Sequence, residues 1–249
     1  MNYTDVFGEP TRGKYVIAGI NVGMILRKDW TTHQQARDYL CDFDGEPQIV
    51  EGIDDEFIRE KHKEYPHLSL ADCEYMWTGA HFCEELLKFD GFMLHASAVV
   101  YKERAYLFSA PSGTGKSTHT KQWLDAFGED AYILNDDKPV IRLLNGKAVV
   151  FGTPWSGKTD QNRNAGVLLG GICFLERADE NWIKPVGAKD AAFGILNQTI
   201  RPGDKKRLVK LLELLDNVIK TTGVFRMGCT ISTDAAIMSY DAMKGETRA

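Results

Sequence analysis

The feature of this sequence that most limits its fold is a glycine-rich loop placed between a strand and a helix. Residues 109–118 read Ser-Ala-Pro-Ser-Gly-Thr-Gly-Lys-Ser-Thr. The apolar run 104–109 predicts a short strand, and a helix is predicted from about Lys116 to Phe127. A strand, a Gly-Lys-Ser loop and a helix in this order define a phosphate-binding loop (P-loop), here residues 109–118. The chain is therefore predicted to be an α/β protein built around this unit.

The residue types in the P-loop suit a nucleoside triphosphate with magnesium. Gly113 and Gly115 permit backbone angles that let N–H groups approach phosphate oxygens, and the helix adds its positive end. Lys116 is expected to reach the β and γ phosphates, and the Ser117 hydroxyl to ligate magnesium. Ala110 stands where the usual pattern has glycine, so the first turn must form without a positive φ. The predicted nucleotide-binding residues are Ser112, Gly113, Thr114, Gly115, Lys116, Ser117 and Thr118.

An acidic cluster follows the next apolar strand. Residues 135–137 read Asn-Asp-Asp, directly after the predicted strand 132–134. Because adjacent strands of a parallel sheet present their carboxyl ends to one crevice, we expect these carboxylates to face the P-loop. One of them suits a magnesium ion, and the other suits removal of a proton from an attacking hydroxyl. An ordinary turn or helix cap built from Asp residues is the structural alternative.

Two further segments carry polar residues of interest. His95 lies in the apolar segment 94–98, just before the strand that leads into the P-loop. A lone histidine between apolar residues is more often structural than functional. Residues 152–158 read Gly-Thr-Pro-Trp-Ser-Gly-Lys, which matches an anion-binding loop and an ordinary turn equally well.

The first ninety residues differ in pattern from the rest. Short strands are predicted over 15–20 and 22–26, while residues 29–66 give no firm pattern. Ser69, with Asp72 three positions on, predicts a capping box at the start of a helix. We therefore expect a smaller N-terminal α+β accessory region over residues 1–90.

Residues 91–249 are predicted to form the core. Segment 92–100 is β-like, Asn145-Gly146 predicts a tight hairpin, and 167–176 predicts a buried strand. Helices are predicted over 187–199, over 203–220 and after Ser232, with a strand at 224–227. Because the hairpin interrupts the alternation of strands and helices, the sheet is expected to be mixed.

Composition argues against several classes of protein. The net charge of −5 and pI near 5.7 offer no attraction to nucleic acid or an anionic membrane. No apolar run reaches the about 18 residues of a membrane span, and residues 1–5 do not resemble the start of a secretory signal. The five cysteines contain no Cys-x-x-Cys pair, which predicts buried, reduced thiols. We expect a cytoplasmic protein, and the sequence is compatible with an oligomer.

Together these segments resemble a known family. Residues 94–99, 111–118 and 135–137 look like the core of the HPr serine kinase and phosphoenolpyruvate carboxykinase superfamily. The resemblance spans roughly residues 92–176, and three motifs in this order are more specific than the P-loop alone. It implies a PEP carboxykinase-like P-loop core with a mixed sheet.

The resemblance also implies a role for each matching residue. Lys116 and Ser117 serve the phosphates and magnesium, and Asp137 looks like the metal-binding aspartate. Asp136 is similar to the aspartate that acts as base in the kinase branch. His95 matches a histidine that approaches the metal in carboxykinases and the reacting phosphate in kinases. The implied catalytic residues are Asp136, His95 and Lys116, and the implied metal ligands are Ser117 and Asp137.

The segment after the hairpin falls where the superfamily has a glycine-containing active-site loop. The resemblance therefore implies that residues in this segment, and one arginine beyond it, contact the substrate. These candidates are Trp155, Ser156, Gly157, Lys158 and Arg163.

Departures from the family pattern separate its branches. The metal-binding lysine and substrate arginine that precede the histidine motif in carboxykinases have no counterpart in residues 1–91. Bacterial HPr kinases have a glutamate where residues 153–156 read Thr-Pro-Trp-Ser, and their Arg-Gly-Leu-Gly signature is missing here. The closest resemblance is to short, stand-alone HPr-kinase-like proteins, some of which phosphorylate peptides or small hydroxylated molecules.

These patterns predict an ATP-dependent kinase that uses Mg²⁺, with Mn²⁺ as an alternative. Asp136 would remove a proton from a hydroxyl acceptor, either on a small molecule or on a peptide serine. Two alternatives come from other classes: a carboxykinase-type lyase acting on oxaloacetate, and a nucleotide-binding regulatory module or switch without turnover. The intact Lys116, Ser117, Asp136 and Asp137 argue against a degenerate module.

Overall fold

The computed structural model describes residues 7–245. Residues 1–5, on which the expectation of no secretory signal rests, lie outside this range. Seven α-helices and twelve strands occur in the described residues. The strands are β1 (Pro10–Ile17), β2 (Ile20–Arg27), β3 (Ile49–Gly52), β4 (Gly91–Met93), β5 (Ser97–Tyr101), β6 (Arg104–Ser109), β7 (Ala131–Asn135), β8 (Val140–Leu144), β9 (Lys147–Phe151), β10 (Gly166–Arg177), β11 (Trp182–Pro185) and β12 (Val224–Cys229). The helices are α1 (Thr31–Gln35), α2 (Asp55–Glu64), α3 (Leu70–Leu86), α4 (Lys116–Phe127), α5 (Ala188–Asn197), α6 (Lys205–Thr221) and α7 (Thr233–Met243).

Nine of the strands form one mixed sheet, so the predicted α/β class and mixed sheet are confirmed. Its main path is β4-β8-β9-β10-β6-β5-β7, and β12 pairs with both β10 and β11. The long strand β10 runs parallel to β6 and β12, whereas the other pairings in this sheet are antiparallel. The edge strand β11 is short and was not predicted from the sequence.

Helices cover both faces of the large sheet, because alternate strand residues point to opposite sides. On β5 and β6, Ala98 and Leu107 pack in a cluster with the apolar stripe of α6, which includes Leu211 and Leu215. On the other face, Tyr106 belongs to a cluster with residues of α4 and α7. The strand-loop-helix unit of the P-loop is therefore anchored in the core at both ends.

The N-terminal segment forms a separate three-stranded sheet, β1-β2-β3. The predicted capping box is confirmed, since Ser69 accepts from the Asp72 N–H and Asp72 accepts from the Ser69 N–H. Residues of this sheet and of α3 share one hydrophobic cluster with Met93, Val140 and Trp155. The N-terminal segment thus packs against the strands that follow residue 90, and a domain boundary at that residue stays a prediction.

The segment 92–100 is two strands and not one. Between β4 and β5, the N–H groups of Leu94, His95 and Ala96 donate to the carbonyls of Pro139, Gln198 and Asp137, at 3.1, 2.7 and 3.0 Å. These donors leave the sheet ladder and bind loop carbonyls. His95 therefore lies in a break between two strands. The alternation of side chains along a strand does not fix the direction of its side chain.

Other local predictions are confirmed or corrected by the same elements. The hairpin between β8 and β9 turns at Asn145 and Gly146, both with positive φ, as a two-residue hairpin requires. The unassigned residues 29–66 contain α1, a 3-10 turn, β3 and α2. Cys41 is exposed, against the expectation of buried thiols, because it lies in a surface loop after that turn.

No helix within residues 7–245 combines the length and the apolar character needed to cross a lipid bilayer.

A buried acid links β3 to α3. The Glu51 side chain is buried, and its Oε2 lies 2.9 Å from Nδ1 of the half-exposed His81. Burial raises the pKa of Glu51 to about 7, although the hydrogen bond from His81 opposes the shift. The same hydrogen bond raises the pKa of His81. Groups whose pKa is raised by folding contribute stability below the unfolded pKa, and this contribution is lost as the pH rises through the folded pKa.

The free energy of unfolding is therefore expected to decline as the pH rises from 4.5 through about 7. Glu51→Gln removes the buried ionisation and should make the protein more stable than wild type near neutral and alkaline pH, by on the order of 2 kcal/mol. Urea denaturation over this pH range measures the difference. The exposed Glu213→Gln serves as control, and parallel pH profiles for wild type and Glu51→Gln would contradict the assignment.

Candidate active site

The candidate site lies at one edge of the large sheet, where three strands meet. Strands β6 and β7 both end there, and β5, which is antiparallel to each, begins between them. The prediction that the acidic strand directly neighbours the P-loop strand is wrong, because β5 separates the two. Because β6 and β7 run in the same direction, their carboxyl ends still lie at one crevice, as expected. Residues 109–118, 135–137 and 95–97 therefore meet at one edge.

The P-loop has the backbone that the glycines were expected to provide. Gly113 and Gly115 have φ of 77° and 119°, and Gly115 is the N-cap of α4. Ala110 is buried and is not among the residues with positive φ, so the first turn forms without one, as expected. The N–H of Thr114 donates to the carbonyl of Pro111 at 3.2 Å, which closes the turn.

Lys116 lies under the loop at the start of α4. Its Nζ donates to the Ala110 carbonyl at 3.0 Å, and the residue is 8% exposed. Burial lowers the pKa of Lys116, and the charges of Asp137 and Asp136 oppose that shift. The ammonium thus faces two carboxylates across the crevice and carries little hydration of its own.

Asp136 has both carboxylate oxygens engaged. Its Oδ1 accepts from the Ser97 hydroxyl at 2.6 Å, and its Oδ2 accepts from the Thr159 hydroxyl at 2.9 Å. Ser97 is fully buried, and its Oγ also lies 2.9 Å from the Thr120 hydroxyl. Because Ser97 gives its one proton to Asp136, Thr120 is the donor in the second bond. A hydroxyl chain therefore ties Asp136 to the first turns of α4.

Asp137 lies between two basic side chains. Its Oδ1 is 3.3 Å from His95 Nε2, and its Oδ2 accepts from Lys138 Nζ at 2.6 Å. Burial raises the pKa of Asp137, but the hydrogen bond from His95 and the charge of Lys138 outweigh it and lower the pKa to about 2. His95 is oriented from its other side, where Nδ1 lies 3.0 Å from Gln198 Oε1. Asp137 is therefore ionised throughout the neutral pH range.

Side chains of the N-terminal region hold the loop that follows the hairpin. The Gly157 N–H donates to the Tyr75 hydroxyl at 2.9 Å, and Gln35 Nε2 donates to the Gly157 carbonyl at 2.8 Å. Lys138 lies over the Tyr75 ring, 4.8 Å from its centroid. Gly157 itself has φ of 73°, and a Cβ there would lie 3.0 Å from the Cβ of Asp137. The loop is thus placed directly beside the acidic cluster.

A cleft of about 330 Å³ lies between the P-loop, the acidic cluster and this loop. Most of the predicted nucleotide, catalytic and metal residues line it, together with Ser156, Gly157 and Lys158. Thr114, Trp155 and Arg163 do not. The cleft is lined by His95, Ser112, Gly113, Gly115, Lys116, Ser117, Thr118, Asp136, Asp137, Ser156, Gly157, Lys158 and Thr159.

Two of the predicted substrate contacts point elsewhere. Trp155 is fully buried and stacks on Phe82, with ring centroids 4.9 Å apart. It anchors the loop in the hydrophobic cluster shared with α3. The guanidinium of Arg163 lies 4.2 Å from the ring centroid of Tyr132, on β7. Both residues support the loop from outside the cleft.

Several site residues carried no signal in the sequence. Ser97, which lies inside the segment 94–99, and Thr159, which directly follows residues 152–158, hold the carboxylate of Asp136. Arg177, at the end of β10, donates through Nη2 to the Gly113 carbonyl at 2.7 Å and so braces the P-loop. A single hydroxyl or an exposed arginine is too common in proteins to mark such a role by itself.

The residues present fit a magnesium ion bound together with phosphate oxygens. The exposed Ser117 hydroxyl and the Asp137 carboxylate line the same cleft, and both are hard oxygen donors of the kind Mg²⁺ prefers. Within residues 7–245, no cluster of three or more His, Cys, Asp or Glu side chains forms a metal site by itself. Magnesium commonly keeps water and substrate phosphates as its other ligands.

No protein-family model matches the sequence, and no curated protein matches it. Among solved structures, the HPr(Ser) kinase/phosphatase from Coxiella burnetii matches 50% of this chain and 94% of its own chain. The two are 14% identical, with a TM-score of 0.29.

Gly157→Ala is expected to perturb the site beyond its backbone strain. The positive φ alone should cost about 1–2 kcal/mol of unfolding free energy. The added Cβ also meets Asp137, so the affinity for magnesium–ATP that the P-loop sequence predicts should fall as well. Gly146→Ala is a matched control, because Gly146 has φ of 77° and no heavy atom within 4 Å of the added Cβ. Denaturation and nucleotide titration of both variants measure the two effects; equal nucleotide affinities would contradict the role of Gly157.

Proposed function

We propose that this chain is an ATP-dependent kinase with a PEP carboxykinase-like P-loop core. It transfers the γ-phosphoryl group of ATP, with Mg²⁺ or alternatively Mn²⁺, to a hydroxyl of a small molecule or of a peptide serine. The observation that carries the proposal is the position of Asp136. Its Oδ2 accepts a hydrogen bond from the Thr159 hydroxyl, and both residues line the same cleft as the P-loop. A carboxylate held this way is within reach of an acceptor hydroxyl in the same cleft.

Each side chain then has a defined task in the transfer. The N–H groups of the P-loop and the positive end of α4 bind the phosphates, and Lys116 stabilises the charge on the transferring group. Asp136, with Oδ1 fixed by Ser97, takes the proton of the acceptor hydroxyl at Oδ2. Magnesium, when bound by Ser117 and Asp137, neutralises phosphate charge.

His95 completes the arrangement as a positioning residue and as a partner of the phosphate. It lies between Asp137 and Gln198, so the ring cannot turn without breaking one of two contacts. The ring therefore holds the Oδ1 side of Asp137 while lining the cleft beside Lys116. We propose that it contacts the reacting phosphoryl group from this position.

The proposed partners are a nucleoside triphosphate and a hydroxyl acceptor. The net charge of −5 gives no general attraction to nucleic acid or an anionic membrane. Free thiols at all five cysteines suit a cytoplasmic location, where such groups stay reduced.

Asp136→Asn should remove the base and leave the nucleotide site in place. Phosphate transfer is expected to fall by about 10²–10⁴-fold, because the amide cannot accept the proton. Magnesium–ATP affinity should stay near the wild-type value. Labelled ATP, screened against hydroxylated metabolites and serine peptides, measures transfer, and calorimetry measures binding.

The exposed Asp130→Asn, in the turn before β7, is the matched control and should behave as wild type. Equal loss of transfer and of ATP binding in Asp136→Asn would contradict the role of Asp136 as base. Turnover of ATP that is unchanged in this variant would overturn the kinase mechanism.

A further inference from the structure

We propose that Thr159 is a phosphoryl acceptor within this chain, so that the protein phosphorylates itself at this residue. The proposal rests on the kinase function proposed above and extends it to a modification site. It follows from the geometry of one hydroxyl group, from the cleft that this hydroxyl faces and from the loop that holds it.

The two hydroxyls that donate to Asp136 differ in their exposure. Ser97 donates to Oδ1 but is fully buried behind the sheet edge, where its oxygen is enclosed by Asp136 and Thr120. Thr159 donates to Oδ2 and is exposed. Only the second of these hydroxyls can meet a ligand, and its distance of 2.9 Å is that of a nucleophile and its base.

The Thr159 side chain lies at the candidate cleft. Thr159 lines it together with Gly113, Lys116 and Ser117, which are the residues proposed to bind the phosphates. Thr159 and Asp136 also line an adjoining cavity of about 600 Å³ beside α4. The hydroxyl therefore faces the space in which the terminal phosphate of a bound nucleotide is expected to lie.

The loop fixes the position of the Thr159 hydroxyl. Thr159 ends a 3-10 turn that starts at Gly157, whose N–H and carbonyl are held by Tyr75 and Gln35. Asp160, the next residue, has φ of 51°, so the chain turns sharply after Thr159. A side chain held on both sides in this way keeps its hydroxyl directed at Asp136.

The step is a complete phosphoryl transfer. Thr159 Oγ1 forms a bond to the γ-phosphorus, and the bond from that phosphorus to the β,γ-bridging oxygen breaks. The products are phosphothreonine and ADP, and the hydroxyl proton passes to Asp136 Oδ2. The phosphothreonine adds a charge of about −2 beside two carboxylates, so the modified chain should bind ATP more weakly.

Incubation with γ-labelled ATP and Mg²⁺ tests the proposal. The label should stay on the protein after denaturation. Mass spectrometry before and after incubation should place the label on the peptide that contains Thr159. Because base and acceptor belong to one chain, the labelled fraction should grow at a rate independent of protein concentration. A rate proportional to concentration would overturn transfer within the chain.

Three variants separate this site from general damage. Thr159→Val keeps the shape of the side chain and should lose the label while still binding ATP, whereas Thr159→Ser should keep the label on the new serine. Thr221→Val, at the end of α6 and outside the cleft, is the matched control and should be labelled as wild type.

The outcomes distinguish this proposal from the kinase function. Absence of label in wild type overturns self-phosphorylation. If Thr159→Val then transfers phosphate to an added acceptor as fast as wild type or faster, the proposed kinase function is retained, and Thr159 only occupies the acceptor position. Label that persists in Thr159→Val at another residue also overturns the assignment. Absence of both label and transfer to any acceptor, with ATP bound, overturns the two proposals together.

Discussion

The site depends on one topological constraint, the insertion of antiparallel β5 between the parallel strands β6 and β7. Without β5, the P-loop and the acidic cluster would follow neighbouring strands about 5 Å apart. With β5 between them, they are separated by roughly twice that spacing, and the start of β5 fills the gap. This places His95 and Ser97 between the P-loop and the acidic residues, where each contacts one carboxylate. The same insertion therefore creates the cleft and supplies the groups that orient its acids.

A second constraint is that the loop beside the acids is held by residues from the other end of the chain. Gln35 and Tyr75 bind the backbone of Gly157, and Trp155 is buried against Phe82. Loss of packing between the N-terminal sheet and the core would therefore move the wall of the cleft that carries Thr159. The N-terminal region is in this sense part of the site, although none of its described residues, from 7 onward, lines the cleft.

The sequence predicted the parts of the structure that local chemistry determines. Gly113 and Gly115 mark a backbone that few other residues adopt, Ser69 with Asp72 marks a helix start, and Asn145-Gly146 marks a hairpin. It did not predict that β5 lies antiparallel between β6 and β7, because strand order and direction depend on long-range pairing. Nor did it predict Gln35, Tyr75 or Thr159 as site residues, since their partners lie far away in sequence and their residue types are common. The assigned roles of Asp136 and Asp137 stay predictions that rest on motif and geometry.

The two adjacent aspartates of the cleft have neighbours of different charge. Asp137 has a basic group at each oxygen, His95 and Lys138, which keeps it ionised and suited to a cation. Asp136 has only hydroxyl donors, from Ser97 and Thr159. The cationic neighbours of Asp137 lower its pKa, because opposite charges favour the ionised form. The roles proposed for the two aspartates, magnesium ligand and base, thus depend on which neighbours the two strand ends bring to each side chain.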